Sequence, residues 1–316
     1  MTRQYAKLDQ ESLLHLQGSD ALSFLQGQVT CDTRKLADAN SLPGVLCTVQ
    51  GRVVGDFLLC ALAPEHLVLR LRRDIRDTVA AVLAKYIVFS KAKLEPGRDD
   101  WQVMACWGPE AGAALLDCFG TVPTEKHGAA VGDGFALLQT DDAGLRFECY
   151  LRKDAAQTHL QALARCMDQG SEADWQALEI AAGIARIEAG TTGEFIPQML
   201  NYDVTGHISF NKGCYTGQEV VARMHYRGKP KRRLYRAAVQ PSEPAGSLQV
   251  AAGDPLFGGD SSQAQGNVVN AAATADGQLV MLVTATGPGV DTGLHLSGPD
   301  GPSLRTEPVP YPVPEK

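Results

Sequence analysis

The sequence predicts an α+β protein of two or three domains that ends in a small β-barrel. Three observations predict it. The chain has 316 residues, and a domain typically holds ~100–150. Up to about Ala181, short apolar strands alternate with amphipathic helices. Beyond Leu234 the chain reads as short β-runs split by Gly, Pro and Asp.

Taken in order, residues 13–16 read as a strand. Gly18-Ser19-Asp20 then opens a helix with Ala21, Leu22, Phe24 and Leu25 on its apolar face. From about 44 to 94 the order is three strands, a helix and a strand. VLCTV and VVGDFLLCAL flank a turn at Gln50-Gly51, and HLVLRL follows the Pro64 turn. DIRDTVAAVLAKY is an amphipathic helix, and IVFSKAKL returns as a strand. This block reads as a small α+β unit with an antiparallel sheet. WQVMACW, FALLQT and RFECYL are strands, and EAGAALLDCF is a helix. DAAQTHLQALARCM is a second helix, with Asp154 as its N-cap. Ser171-Glu172-Ala173-Asp174 opens another with a capping-box pattern, carrying Trp175, Leu178 and Ile184. GTTGEFIPQMLNYDVTGHISF is irregular, and long loops of this kind are often functional. LYRAAV, GNVVNAAAT, QLVMLVTAT and GLHLSG supply the barrel, and the proline-rich EPVPYPVPEK runs extended along the surface.

Composition excludes several classes. The chain is 44% hydrophobic and 21% charged, as soluble proteins are. MTRQYAKLDQESLLHL lacks the basic and apolar regions of a secretory signal. No apolar run reaches the ~18 residues that span a bilayer. Eight cysteines form no CxxC pair and no zinc spacing, and Cys60, Cys106 and Cys149 lie in apolar strands. That usage fits free thiols in a reducing cytoplasm. The net charge of −7 repels nucleic acid and anionic membranes. RMHYRGKPKRRLYR, residues 223–236, runs against that average with seven Lys/Arg and no acid. It is either a solvated loop and edge strand or a contact surface for an anion or RNA, helped by Tyr226 and Tyr235.

The strongest pattern precedes that strip: NKGCYTGQEVVAR, residues 211–223. Thr216-Gly217-Gln218-Glu219 fits a capping box, with Val220, Val221 and Met224 as the apolar stripe and Gly228 to end the helix. Cys214 then lies two residues before the N-cap, near free amides, the helix dipole and Lys212. Such surroundings stabilise a thiolate. The alternative is a structural cysteine tucked beside a turn. Trp175 is either a core residue or a platform for a planar ligand. Asp56, in QGRVVGDFLL, faces either solvent or a pocket, and Glu194 and Gln198 are polar groups on the irregular loop.

FIPQMLNYD…GHISFNKGCYTGQEVVAR, with LQGSDALSFLQGQVTCD and QGRVVGDFLL, closely resembles the YgfZ family of folate-binding proteins, relatives of the glycine-cleavage aminomethyltransferase, or T-protein. The resemblance spans nearly the whole chain, and Lys212 to Glu219 is its most specific part. It implies a three-domain T-protein-like ring around a tetrahydrofolate pocket: a discontinuous domain of residues 1–43 and 126–222, an inserted domain of 44–125, and a barrel domain of 223–316. It implies an accessory role in assembling or repairing iron–sulfur enzymes, including those that thiolate tRNA. Cys214 and Lys212 match the family's reactive pair, and Trp175, Asp56, Gln198, Gln218 and Arg223 are the candidate folate contacts. Three positions depart from the T-protein pattern. Gly55-Asp56 replaces a pair of acids, Ala181 stands where a glutamate is expected, and a second pocket tryptophan falls near Glu11. These departures weigh against the alternative of a tetrahydrofolate-dependent aminomethyltransferase. An RNA-binding module using residues 223–236 is a further alternative, with weak tRNA contact.

Overall fold

A computed structural model describes residues 2–239, 249–258 and 263–314. The chain divides into two compact units: residues 1–46, 56–172 and 211–215 form the first, and 47–55, 173–210 and 216–316 the second.

In the first unit, the elements run β1 (Gln4–Lys7), β2 (Glu11–Gln17), α1 (Ala21–Gln26), β3 (Ser41–Cys47) up to Leu46, β4 (Val53–Ala63) from Asp56 on, β5 (His66–Arg72), α2 (Arg76–Ala84) and β6 (Lys93–Glu95). They continue as β7 (Trp101–Trp107), α3 (Ala111–Phe119), β8 (Ala129–Gly132), β9 (Phe135–Gln139), β10 (Arg146–Arg152), α4 (Ala156–Cys166) and β11 (Asp168–Gln169). One sheet has the order β3-β4-β5-β2-β6, the other β11-β1-β7-β10-β9-β8. The chain changes sheet between β6 and β7, near residue 100, while β2 pairs with β5 and β1 with β7.

Period-2 patterning explains the second sheet. Met104 and Cys106 of β7, Phe135 and Leu137 of β9, and Phe147, Cys149 and Leu151 of β10 point to one face. There they meet Ala111 and Leu115 of α3 and Ala156 and Leu163 of α4. The opposite face carries a buried ion cluster. Arg70 of β5 lies 2.5 Å from the Glu148 carboxylate of β10 and 3.6 Å from Glu11, and the Tyr150 hydroxyl donates to Glu148 at 2.9 Å.

The second unit contains α5 (Glu172–Ala181) from Ala173 on, α6 (Gln218–Arg227), and a closed barrel with the short α7 (Gly287–Thr292). The barrel order is β12 (Arg232–Val239), β15 (Leu279–Thr286), β14 (Ala264–Ala273), β13 (Pro255–Gly258), β16 (Leu294–Leu296) and β17 (Ser303–Glu307). Its inward positions, such as Met281, Val283 and Ala285, alternate along the strands and fill the interior. The α+β class with a C-terminal barrel therefore holds. Tyr311 of the proline-rich tail donates to the Gly183 carbonyl at 2.8 Å; Glu315 and Lys316 lie outside the described residues.

Local expectations fail where side chains find other partners. Asp154 does not cap α4. The N-cap is Ala155 without a side-chain bond, and the Asp154 carboxylate accepts from Arg152 at 2.7 Å. Only Lys93 and Leu94 of IVFSKAKL pair with β2, while Ile87–Phe89 is a 3-10 turn with Val88 72% and Phe89 98% exposed. Ile184 lies beyond the end of α5.

Candidate functional site

The chain enters the first unit for the five residues Asn211–Tyr215 and is fastened there by a lysine. The Lys212 ammonium donates to the carbonyls of Gln26, Val29 and Cys31 at 2.8, 2.5 and 2.8 Å. It also sits 5.1 Å from the centre of the Tyr215 ring, a cation–π distance.

Those carbonyls converge because the segment after α1 is pinned along its length. Val29 bridges Leu46, and the Thr30 N–H donates to the Val45 carbonyl at 3.1 Å. The Gln26 amide donates to Asp32 at 3.0 Å, and its oxygen accepts the Thr33 N–H at 2.8 Å. Arg34 grips Asp32 with two bonds of 2.8 Å and holds that carboxyl down, at about 2. Burial pushes Lys212 down from 10.5 to about 8, a lowering that the Asp32 carboxylate opposes. Burial likewise pushes the Cys31 thiol up to about 12.

Lys212 and Tyr215 are each 7% exposed, whereas Gly213 and Cys214 between them are exposed. Two buried anchors thus present a glycine and a thiol to solvent. Cys31, Cys47, Cys60, Cys106 and Cys149 are buried, Cys118 and Cys166 are half-buried, and Cys214 is the exposed one. An accessible thiol is a soft nucleophile and a one-point metal ligand. Among the described residues, no three His, Cys, Asp or Glu side chains gather as a metal ion would need.

Thr216 is not the N-cap of α6, as the sequence pattern had it. The N-cap of α6 is Gly217, at φ 82° and ψ 2°, with no side-chain cap. Only glycine takes that backbone without strain, so the helix starts one residue later and Glu219 falls at its second position. A Cβ on Gly217 would lie 2.3 Å from the Thr48 carbonyl, and one on Gly51 2.9 Å from Val220. The Gln50-Gly51 turn therefore packs closely on α6 within the second unit. Its flank is tied to the irregular loop: the Val53 N–H donates to the Phe195 carbonyl and the Gly193 N–H to the Val53 carbonyl, both at 2.8 Å. Arg52 donates to the Glu194 carbonyl, while the Glu194 side chain is exposed.

The remaining candidates are placed as follows. Gln198 is 1% exposed and donates to the Val221 carbonyl of α6 at 2.9 Å. Its amide oxygen is buried with no hydrogen-bond partner among the described residues. Gln218 is half-buried and Arg223 exposed, both on α6. Trp175 is 2% exposed, the packing of a core tryptophan. Asp56 is 3% exposed in β4, so it does not face solvent. Ala181 is exposed at the end of α5; Glu179, on the same helix, pairs with Arg186 at 3.3 Å.

Of the basic strip, three residues are engaged. Arg232 donates to Asn267, Arg233 pairs with Asp203 at 2.8 Å, and Arg236 with Glu307 at 3.1 Å. Arg223, Arg227, Lys229 and Lys231 are exposed, as is Tyr226, next to a stack of Phe210 on His225 at 3.7 Å.

The chain matches known proteins. Residues 6–131 match the GCVT N-terminal domain. A tRNA-modifying protein YgfZ from Klebsiella pneumoniae (strain 342) is 34% identical over 305 residues, covering 96% of this chain and 91% of its own. The protein of that name from Sodalis glossinidius (strain morsitans) is 35% identical over 316 residues, covering 98% and 93%. The chain belongs to the YgfZ family. The crystal structure of glycine cleavage system aminomethyltransferase T from Bartonella henselae shares its fold. That match has a TM-score of 0.77 and 18% identity, over 98% of this chain and 86% of that one.

Gln26, Asp32, Arg34 and Tyr215 were not singled out from sequence. Gln26 and Asp32 lie in LQGSDALSFLQGQVTCD, whose resemblance to the family was their only signal, and Arg34 follows two residues later.

Proposed function

We propose that the chain is a cytoplasmic, folate-binding accessory factor for iron–sulfur enzymes that modify tRNA, with Cys214 as its reactive group. The carrying observation is the exposed thiol held between two buried anchors, in a family whose relatives are named for tRNA modification. No helix among the described residues is long and apolar enough to cross a membrane.

Folate fits one feature well. The unpaired Gln198 oxygen is a buried acceptor, and a pterin ring carries amino and amide donors. Gln198 would receive such a donor, Asp56 and the α6 residues Gln218 and Arg223 remain candidate contacts, and bound folate would supply a one-carbon carrier. Trp175 as a stacking platform would need part of its covered ring surface freed. Lys212 positions the thiol, and Cys214 attacks an electrophile or gives one sulfur ligand to a cluster. A lone thiolate holds no stable cluster, so that contact is transient or shared with a client enzyme.

Two measurements test the reading. Cys214→Ser should lower iron–sulfur-dependent tRNA thiolation in cells while leaving the folded protein intact; full thiolation by this variant removes Cys214 from the mechanism. Tetrahydrofolate titrated against tryptophan fluorescence should bind several-fold more weakly to Gln198→Met, ~1 kcal/mol for one lost hydrogen bond. Equal affinity would clear Gln198 of any contact.

A second reading, direct tRNA contact, draws on the four exposed cations and Tyr226. Affinity for tRNA should then fall steeply with salt, and replacing Lys229 and Lys231 by Ala should flatten that slope by about two counterions. No binding at low salt would end it.

A further inference from the structure

From the second sheet's helical cover we infer a second thiol site: Cys118 and Cys166 form a dithiol that a low-molecular-weight disulfide, such as oxidised glutathione, closes into a reversible Cys118–Cys166 bond. Their sulfurs lie 3.5 Å apart, Cys118 donating its S–H to Cys166. Closing a disulfide needs a contraction to ~2.05 Å, a movement of ~1.5 Å.

The surrounding structure permits that movement. Cys118 is in the last turn of α3, followed by Gly120 in the left-handed conformation, and Cys166 is the last residue of α4. Terminal turns lack half of their helical hydrogen bonds and shift more readily than helix centres. Both residues are half-buried at the rim of the core, whereas Cys106 and Cys149 in its centre are fully covered. A small disulfide therefore reaches the rim pair and not the two below it. The spacing of the pair along the sequence gives no hint of this. Only the side-by-side packing of α3 and α4 brings residue 118 to residue 166.

The first attack falls to Cys166, because burial first, and then the neighbouring Cys166 and Asp117, push the Cys118 thiol up to about 12. The Cys166 thiolate attacks one sulfur of oxidised glutathione, and one glutathione leaves as a thiolate that takes up a proton. Cys118 then gives its proton to solvent and attacks the Cys166 sulfur, which expels the second glutathione. The protein loses two hydrogens and two electrons, and the small disulfide becomes two thiols. The product ties α3 to α4, and closing a loop of this length raises the unfolding temperature.

Peptide mass mapping tests this on the full chain. The reduced protein is treated with oxidised glutathione, its free thiols are blocked, and it is digested with trypsin. Cleavage after Arg98, Lys126, Arg165 and Arg186 leaves Cys118 in peptide 99–126 and Cys166 in peptide 166–186. The expected product is those peptides linked through 118 and 166, two hydrogens lighter and reopened by dithiothreitol. Cys118→Ser should trap glutathione on Cys166, and Cys166→Ser should leave Cys118 unmodified. A native protein oxidised at Cys214 alone, or a link formed only in urea, overturns the site. Glutathione trapped on Cys118 in the Cys166→Ser variant overturns the assigned order.

Discussion

Replacing Lys212 by methionine keeps most of the buried stem and removes the ammonium that binds three carbonyls. A buried polar group left unpaired costs ~1–3 kcal/mol, so three carbonyls set a ceiling of ~9 kcal/mol. Each oxygen has a second lone pair, and Gly213 and Cys214 alongside are exposed, so water recovers part of that. The expected loss is ~2–4 kcal/mol, or roughly 5–15 °C in the midpoint of the first unit. The pH dependence adds a sharper check. Lys212 titrates at about 8 when folded against 10.5 when free. Between those values the unfolded chain binds more protons, so stability rises with pH there and is lost as pH falls through 8. From about pH 7 to about pH 9.5 the wild-type protein gains ~2 kcal/mol that the variant lacks. Urea unfolding of both proteins across that range should show the gap widening. A gap that stays level would mean the carbonyls offset burial and hold the ammonium at or above its free value. That result would refute the reasoning.

Other perturbations have equally direct readings. Gly217→Ala forces φ 82° on a residue with a Cβ only 2.3 Å from the Thr48 carbonyl, and should cost more than ~2 kcal/mol by urea unfolding. Arg70→Ala leaves Glu148, 1% exposed, without its nearest cation, and should cost ~3–5 kcal/mol. The double replacement Arg70→Met with Glu148→Leu should cost less than the single one, because Glu148 no longer stays behind as a buried charge and Glu11 keeps Arg72 at 3.6 Å.

The alternating strands made the fold class legible. WQVMACW and RFECYL read as strands with a period of two, and they lie paired as β7 and β10 with Cys106 and Cys149 on the same face. IVFSKAKL misled because apolar residues also occur on exposed turns, and composition does not say whether a neighbouring strand is present. The motif around Cys214 stood out in the sequence, but the partners of Lys212 did not. Its partners are backbone carbonyls of Gln26, Val29 and Cys31, and a carbonyl has no side-chain signature. The partners of three cations in the basic strip were hidden for a related reason. Asp203, Asn267 and Glu307 engage three of its cations from distant positions that no local pattern reveals.

The lysine's placement bears on what it does for Cys214. A charge meant chiefly to stabilise a thiolate would be directed at the sulfur, whereas this ammonium spends its three donors on the carbonyls of another segment. Its contribution is therefore to hold residues 211–215 in place, with Tyr215 as the second anchor. Arginine separates position from charge: it keeps the cation, but its planar fork does not reproduce three converging bonds from one nitrogen. Hydrogen exchange at the amides of residues 213–215 should accelerate at least tenfold in both Lys212→Met and Lys212→Arg, the rate change of a ~1.4 kcal/mol weaker clamp. If Lys212→Arg exchanged like the wild-type protein, charge rather than the three-carbonyl cradle would be what fastens the cysteine loop.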